Sequence, residues 1–167
     1  MRIATIIAAT TAFLLAIPPV VAPGQNPASD IVGVWKVMSI ETREVQSGRV
    51  TRPLGDQLTG TFTFTRGGNF SGLVFRTDRK PPLAPNATDA ERVALFNSLV
   101  AYNGTYRTEG DKLVMKIENS HIQSWNGTER TLTIEISGRR LTGRSAPLKA
   151  ASTGLDVVAE NVWERLE

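Results

Sequence analysis

The stretch Gly33-Val34-Trp35-Lys36-Val37 opens the first strand-like segment of the chain, and Val162-Trp163-Glu164-Arg165-Leu166 closes the last one. Several more strand-like segments and one convincing helical segment lie between them. A Gly-x-Trp in a first strand and a Trp/Arg pair in a last strand suggest that the two ends of one sheet meet. We therefore expect a sheet that is closed into a barrel.

Alternation of apolar and polar residues predicts the strands of this sheet. Phe62 and Phe64 fall on one face of residues 58–65 and threonines on the other, and a Gly-rich turn at 66–69 predicts a hairpin with residues 70–75. Further strands are expected at 31–42, 102–108, 113–119, 130–136, 141–144 and 155–166.

The expected fold class is therefore all-β, with about 8–10 strands joined mostly by short turns. The edge strands of an open sheet carry unpaired backbone groups, and a sheet of this many strands can pair them by closing on itself. The pattern therefore predicts an antiparallel barrel. A barrel of about eight strands is just wide enough inside to hold one small ligand, although side chains alone can also fill it.

One short helix interrupts the strands. Thr88 and Glu91 have the spacing of a capping box, in which each side chain bonds to the backbone of the other residue. The pattern predicts a helix over Thr88–Leu99, directly after a Pro-rich segment at 76–87. A helix this short is expected to lie against the sheet or over an opening.

The first 22 residues have the pattern of a secretory signal peptide. Arg2 supplies a positive charge, an apolar run follows, and small residues at 20–22 offer a cleavage position. A linker at 23–30 and a barrel domain at 31–167 would follow, in a secreted or periplasmic protein. The apolar run is shorter than the roughly 20 residues that span a bilayer, so no stable membrane insertion is expected after its removal. An uncleaved anchor is the alternative.

Composition excludes several kinds of site. The chain has no cysteine, which rules out disulfides, zinc-thiolate sites and cysteine nucleophiles. It has a single histidine and no calcium-loop spacing, so we expect no metal site and no cofactor. The net charge of +3 is too small and too scattered to favour nucleic acid as a partner.

A set of short motifs resembles the bacterial lipocalin-like domain family, a relative of the calycin barrels. Each motif is weak alone, but their order and spacing together are moderately specific, and they cover nearly all of 31–167. The motifs are Gly33-Val34-Trp35-Lys36-Val37-Met38-Ser39, Pro53-Leu54-Gly55, Tyr102-Asn103-Gly104-Thr105-Tyr106, Ser124-Trp125-Asn126-Gly127-Thr128, Arg139-Arg140-Leu141-Thr142 and Val162-Trp163-Glu164-Arg165.

The resemblance implies a closed barrel whose cavity binds small apolar molecules. It also implies that Trp35 plugs the closed end while Arg165 lies over its ring, with Gly33 and Trp163 in the same closure. Some related barrels are cyclases or isomerases, so the fold alone does not settle the function.

The candidate ligand-binding residues are aromatic side chains of the expected barrel wall together with groups around His121. On a continuous strand, His121 would share a face with Met115, Asn119, Gln123 and Trp125, a mixture of apolar and hydrogen-bonding groups that suits a pocket wall. The full set is Phe62, Phe64, Phe70, Tyr102, Tyr106, Met115, Asn119, His121, Gln123, Trp125 and Arg130.

Three functions are compatible with these residues. The leading hypothesis is a non-enzymatic binder that holds a small apolar or amphipathic molecule. The second is a barrel cyclase, isomerase or hydrolase with His121 as the proton carrier. The third is a filled barrel that acts as an interaction domain through the 76–87 segment or the helix.

Overall fold

The structure is a computed structural model that describes residues 31–150 and 153–167. The signal peptide expected at 1–22 and the linker expected at 23–30 lie outside these residues. The described residues form ten strands, one α-helix and a 3₁₀ turn at Gln123–Trp125. In chain order they are β1 (Gly33–Glu44), β2 (Val50–Thr51), β3 (Leu58–Phe64), β4 (Asn69–Arg76), α1 (Asp89–Phe96), β5 (Leu99–Glu109), β6 (Lys112–Ser120), β7 (Glu129–Ser137), β8 (Arg140–Ser145), β9 (Leu148–Lys149) and β10 (Asp156–Arg165).

The strands close into one antiparallel barrel. The order β1-β3-β4-β5-β6-β7-β8-β10 returns to its start because β10 also pairs with β1, with Trp35 opposite Arg165 and Val37 opposite Trp163. The short strands β2 and β9 extend the sheet beside β1 and β10. The prediction of an all-β, closed antiparallel barrel with one short helix is confirmed.

The two ends of the barrel differ in how the strands are connected. At one end, tight turns at 65–68, 110–111 and 138–139 join neighbouring strands, and β1 begins where β10 ends. At the other end lie the longer connections at 45–57, 77–98 and 121–128, together with the connection from β8 to β10. We call these the closed end and the open end. Helix α1 belongs to the open end.

Large side chains fill the closed end. Trp35 is fully buried, and its Nε1 donates to the carbonyl oxygen of Ile31 at 2.7 Å. The Arg165 guanidinium lies 4.2 Å from the centroid of the Trp35 ring and donates to the Val32 carbonyl at 2.9 Å. The core around Trp35 is built from Ile31, Val37, Leu54, Phe62, Phe64, Phe70, Val74, Leu113, Met115, Ile117, Leu132, Ile134, Leu141 and Trp163.

Helix α1 has the cap that the sequence predicts. The Thr88 hydroxyl accepts from the Glu91 amide at 3.3 Å, and the Glu91 carboxylate accepts from the Thr88 amide at 2.7 Å. The helix ends at Phe96, earlier than the predicted Leu99, because Leu99 already pairs with Phe75 as the first residue of β5. No residue of α1 is buried, so the helix is held mainly at its ends.

Two β-bulges change which side chains face the barrel interior. One lies between Val37 and Ser39, and the other places Glu118 as an extra residue in β6, opposite the step from Asn103 to Gly104. A bulge inserts one residue and shifts the alternation beyond it. Beyond the first bulge Ile40 therefore takes the inner face, where strict alternation from Trp35 and Val37 would place Ser39.

None of the described helices is long and apolar enough to cross a membrane.

Candidate ligand-binding site

Several inner-face residues toward the open end of the barrel are partly exposed, although Val74 and Leu54 there are buried. Trp35, Phe64 and Leu113 at the closed end are at most 2% exposed. Residues on the same face nearer the open end are only partly buried, among them Ile40, Leu58, Val100, Arg130 and Asn161. Strand pairing shows that these side chains are on the inner face, because directly paired residues share a face. Val100 is paired with the buried Val74, and Arg130 with the buried Met115. Solvent therefore reaches the inside of the barrel at its open end.

Tyr102 is the centre of an aromatic cluster below this opening. Its ring meets Phe62, Phe70 and Trp125 edge to face, with centroid distances of 5.5, 5.7 and 5.7 Å. Such pairs stabilise by about 0.5–1.5 kcal/mol each beyond the area that they bury. Desolvation raises the pKa of Tyr102 to about 12, so its hydroxyl is protonated at neutral pH.

Arg130 brings a positive charge to the same place. Its guanidinium lies 3.7 Å from the centroid of the Trp125 ring, close enough for a cation–π contact. Burial lowers the pKa of Arg130, and the neighbouring Tyr102 opposes that shift in part. Tyr102, Trp125 and Arg130 thus form a wall that is aromatic over most of its area and carries two hydrogen-bond donors.

Residues 32–166 match the family model of the lipocalin-like domain. This chain belongs to that family. No curated protein matches it. The assignment agrees with the barrel described above and covers almost all of the described residues.

Several solved structures resemble the lipocalin-like barrel. A lipocalin-like protein from Bacteroides uniformis ATCC 8492 is 14% identical, with a TM-score of 0.45 over 82% of this chain and 99% of that one. A protein from Bacteroides eggerthii DSM 20697 is 15% identical, with a TM-score of 0.40 over 81% and 99%. The REP1-NXSQ fatty acid transporter is 14% identical, with a TM-score of 0.39 over 84% and 98%.

His121 lies at the rim of the lipocalin-like barrel. The Ala101 amide donates to its Nδ1 at 3.1 Å, and its ring lies 5.1 Å from Phe96 and 6.4 Å from Trp125. His121 therefore connects the end of α1 to the barrel. Within 31–150 and 153–167, no carboxylate makes a hydrogen bond or ion pair with its ring, and the backbone of Ala101 orients it instead.

Asn119 and Gln123 do not share a face with Met115, contrary to the expectation of a continuous strand. The bulge at Glu118 turns Asn119 to the exposed outer face, where its Nδ2 donates to Asn103 Oδ1 at 3.0 Å. Strand β6 ends at Ser120, and Gln123 is exposed at the start of the 3₁₀ turn. The structure therefore separates both residues from the interior wall.

The remaining candidates lie deeper in the barrel. Phe64 and Met115 are each 2% exposed. The Tyr106 ring packs on Phe64 at 5.1 Å, while its hydroxyl donates to the Thr65 carbonyl at 2.8 Å in a turn of the closed end. These three residues form the floor of the barrel with Phe62 and Phe70, which are 2% and 3% exposed and of which Phe70 pairs with Phe64. Tyr102, Trp125 and Arg130 lie nearer the opening.

Sequence reasoning missed Ile40, Val100 and Asn161 as parts of the inner face. Val100 could have been found, because it lies two residues before Tyr102, a predicted wall residue, and residues two apart in a strand share a face. Ile40 and Asn161 face each other across the β1–β10 junction. Their position depends on a bulge and on a pairing between distant segments, which no local pattern reveals.

A recess of about 640 Å³ lies between α1 and the segment that follows β4. Its lining includes the basic residues Arg76, Arg79 and Lys80 and the apolar residues Leu83, Ala94 and Leu95. It is a groove outside the aromatic wall. Among the described residues, no group of three or more His, Asp or Glu side chains is placed to hold a metal ion.

Proposed function

We propose that this lipocalin-like protein is an exported binding protein that holds a small apolar or amphipathic molecule in the open half of its barrel. The observation that supports this most directly is the partial exposure of Ile40, Leu58 and Val100 on the inner face. Apolar side chains that face inward and still meet water gain from a ligand that covers them.

The physical gain comes from burial of apolar surface. Each square ångström removed from water contributes about 25 cal/mol, before the costs of immobilising the ligand are subtracted. The rings of Tyr102 and Trp125, with Phe62 and Phe70 packed around Tyr102, offer flat, rigid surfaces for such contact. Ligand pockets are typically lined in this way, with a few polar groups for orientation.

Two variants test the location of the site. Val100→Trp would place a large ring on the inner face, whereas Leu73→Trp places the same ring on the outer face of β4, where Leu73 is 46% exposed. The protein is stripped of lipid and screened for thermal stabilisation by fatty acids, sterols and quinones. We expect Val100→Trp to lose the stabilisation and Leu73→Trp to keep it.

Two outcomes would contradict the proposed function. Equal stabilisation of both variants by a ligand would move its site outside the barrel. Absence of stabilisation of the native protein by every class at saturating concentration, together with a native mass spectrum that shows no bound molecule in protein taken from its own host, would leave a filled barrel as the better description.

Export is the second part of the proposal, and it rests on the signal-like pattern of residues 1–22. Mass spectrometry of protein from a periplasmic or secreted fraction should show a chain shortened by about that signal. An intact chain confined to the cytoplasmic fraction would overturn export and would leave the binding proposal untouched.

A further inference from the structure

Two side chains at the open end of the barrel carry hydrogen-bond donors for which the described part of the chain supplies no acceptor. Within 31–150 and 153–167, no carboxylate or carbonyl oxygen accepts from the Arg130 guanidinium or from the Tyr102 hydroxyl. Both side chains contact the Trp125 ring, the guanidinium at 3.7 Å and the tyrosine ring at 5.7 Å, so the two donors lie in one neighbourhood.

Arg130 differs from four arginines on the outside of the barrel that have acidic partners. Arg43, Arg52, Arg107 and Arg144 each lie within 4 Å of a glutamate carboxylate. Arg130 is partly buried on the inner face and has only an indole ring beside its charge. A charge taken partly out of water is costly unless an opposite charge accompanies it, so the site is electrostatically incomplete without an anion.

We propose that the molecule held in the barrel has a carboxylate head, which accepts hydrogen bonds from the Arg130 guanidinium and the Tyr102 hydroxyl. Its apolar part would lie along Ile40, Leu58 and Val100, the partly exposed apolar side chains of the inner face. This inference rests on the proposed binding function and names the class of ligand that the site selects.

The chemistry of the donors favours a carboxylate over a phosphate monoester. The planar guanidinium offers two parallel N–H groups that match the two oxygens of a carboxylate, and the tyrosine adds a third donor. One arginine neutralises the single charge of a carboxylate, whereas a phosphate monoester carries about −1.5 to −2 at neutral pH and would stay partly uncompensated.

Three probes that share a twelve-carbon chain and differ only in their head group separate the contribution of the head to binding from that of the tail. Dodecanoic acid, dodecanol and dodecyl phosphate are titrated into lipid-stripped protein at pH 7.5, with dissociation constants measured by calorimetry. Hydrogen bonds to charged groups contribute about 1.5–3 kcal/mol, so the acid should bind about tenfold or more tightly than the alcohol. Arg130→Gln should erase that difference, because the acid loses its charged partner and then binds no more tightly than dodecanol does.

Further variants control for charge and for folding. Arg66→Gln removes one positive charge from an exposed turn of the closed end and should leave the acid preference intact. Arg130→Lys keeps the charge but not the planar fork, so part of the preference should remain. If Arg130→Gln does not fold, Tyr102→Phe supplies the test, with an expected loss of about 3–10-fold for the acid alone.

The possible results distinguish the two proposals. If the native protein and Arg130→Gln both bind the acid and the alcohol with equal affinity, the proposal of a carboxylate head is wrong. The proposed binding function would still stand. A tenfold preference for dodecyl phosphate would overturn the choice of carboxylate. Failure of all three probes, and of the wider ligand screen, would remove both proposals together.

Discussion

The guanidinium of Arg165 lies 4.2 Å from the centroid of the Trp35 ring, and the two residues also face each other across the junction of β10 with β1. The contact joins residues that are far apart in the sequence. It covers the fully buried indole at the end of the barrel where the chain's first and last described strands meet. The closed end is therefore sealed by a side-chain contact as well as by backbone pairing.

Replacement of Arg165 by methionine should destabilise the barrel. The change removes the cation–π contact and the hydrogen bond to the Val32 carbonyl, and we expect a loss of about 1–3 kcal/mol in the free energy of unfolding. Urea denaturation measures it. Arg66→Met, in an exposed turn, is the control and should change stability by less than about 0.5 kcal/mol. Equal values for the two variants would contradict a sealing role.

Gly72→Ala tests how tightly the aromatic cluster is packed. An added Cβ would lie 2.5 Å from two ring atoms of Phe62, and that ring is held between Tyr102 and Trp163. Since the ring has little room to move, we expect a loss of about 1–3 kcal/mol. Gly67→Ala is the control, because its Cβ would meet nothing closer than 3.5 Å. Thermal unfolding of both variants gives the comparison, and a neutral Gly72→Ala would show a loosely packed wall.

Tyr102 should ionise far above the usual range for tyrosine. Burial raises its pKa to about 12, against about 10 in an unfolded chain. Because the folded-state pKa is the higher one, the associated stability is fully present below pH 10 and is lost as the pH rises through about 12. The chain has only two tyrosines, so Tyr106→Phe isolates Tyr102. Stopped-flow absorbance after an alkaline jump should give a midpoint near 12 before unfolding, and a midpoint near 10 would refute the burial of the hydroxyl.

The cap of helix α1 should weaken in acid. The amides of Leu83 and Thr88 and the Thr88 hydroxyl donate to the Glu91 carboxylate, and these bonds hold its pKa below the usual value. A depressed folded-state pKa means that the stabilisation is present above the unfolded pKa of about 4.3 and is lost as the pH falls through the lower folded value. Amide hydrogen exchange across 83–96 should therefore accelerate below about pH 4, and in Glu91→Gln it should lack this acid-dependent step.

Much of the architecture could be predicted because it depends on local patterns. The alternation around Phe62 and Phe64 identified a strand, and the spacing of Thr88 and Glu91 identified a helix start. The aromatic residues at 102 and 125 were both predicted to line the wall, and the structure places their rings 5.7 Å apart. The expected end of the helix was wrong by three residues, because strand pairing of Leu99 competes with helix propagation.

The site was harder to predict than the fold because two bulges intervene. Strict alternation groups Asn119 with Met115, yet the extra residue Glu118 reverses the facing of everything beyond it in β6. A bulge is defined by two residues opposing one on a neighbouring strand, so it is a property of a pair of strands. No pattern within a single strand contains that information.

The sequence by itself determined the fold class, the eight long strands, the helix cap and the glycine and tryptophan motifs of the first and last strands, because turn chemistry, capping and alternation act between residues close in the chain. Only the tertiary structure decided that Arg130 shares the inner wall with Tyr102 and Trp125, and that Ile40 faces Asn161. These neighbours come from β1, β5, β7 and β10, and strand register across a closed barrel is set by the fit of all its side chains at once.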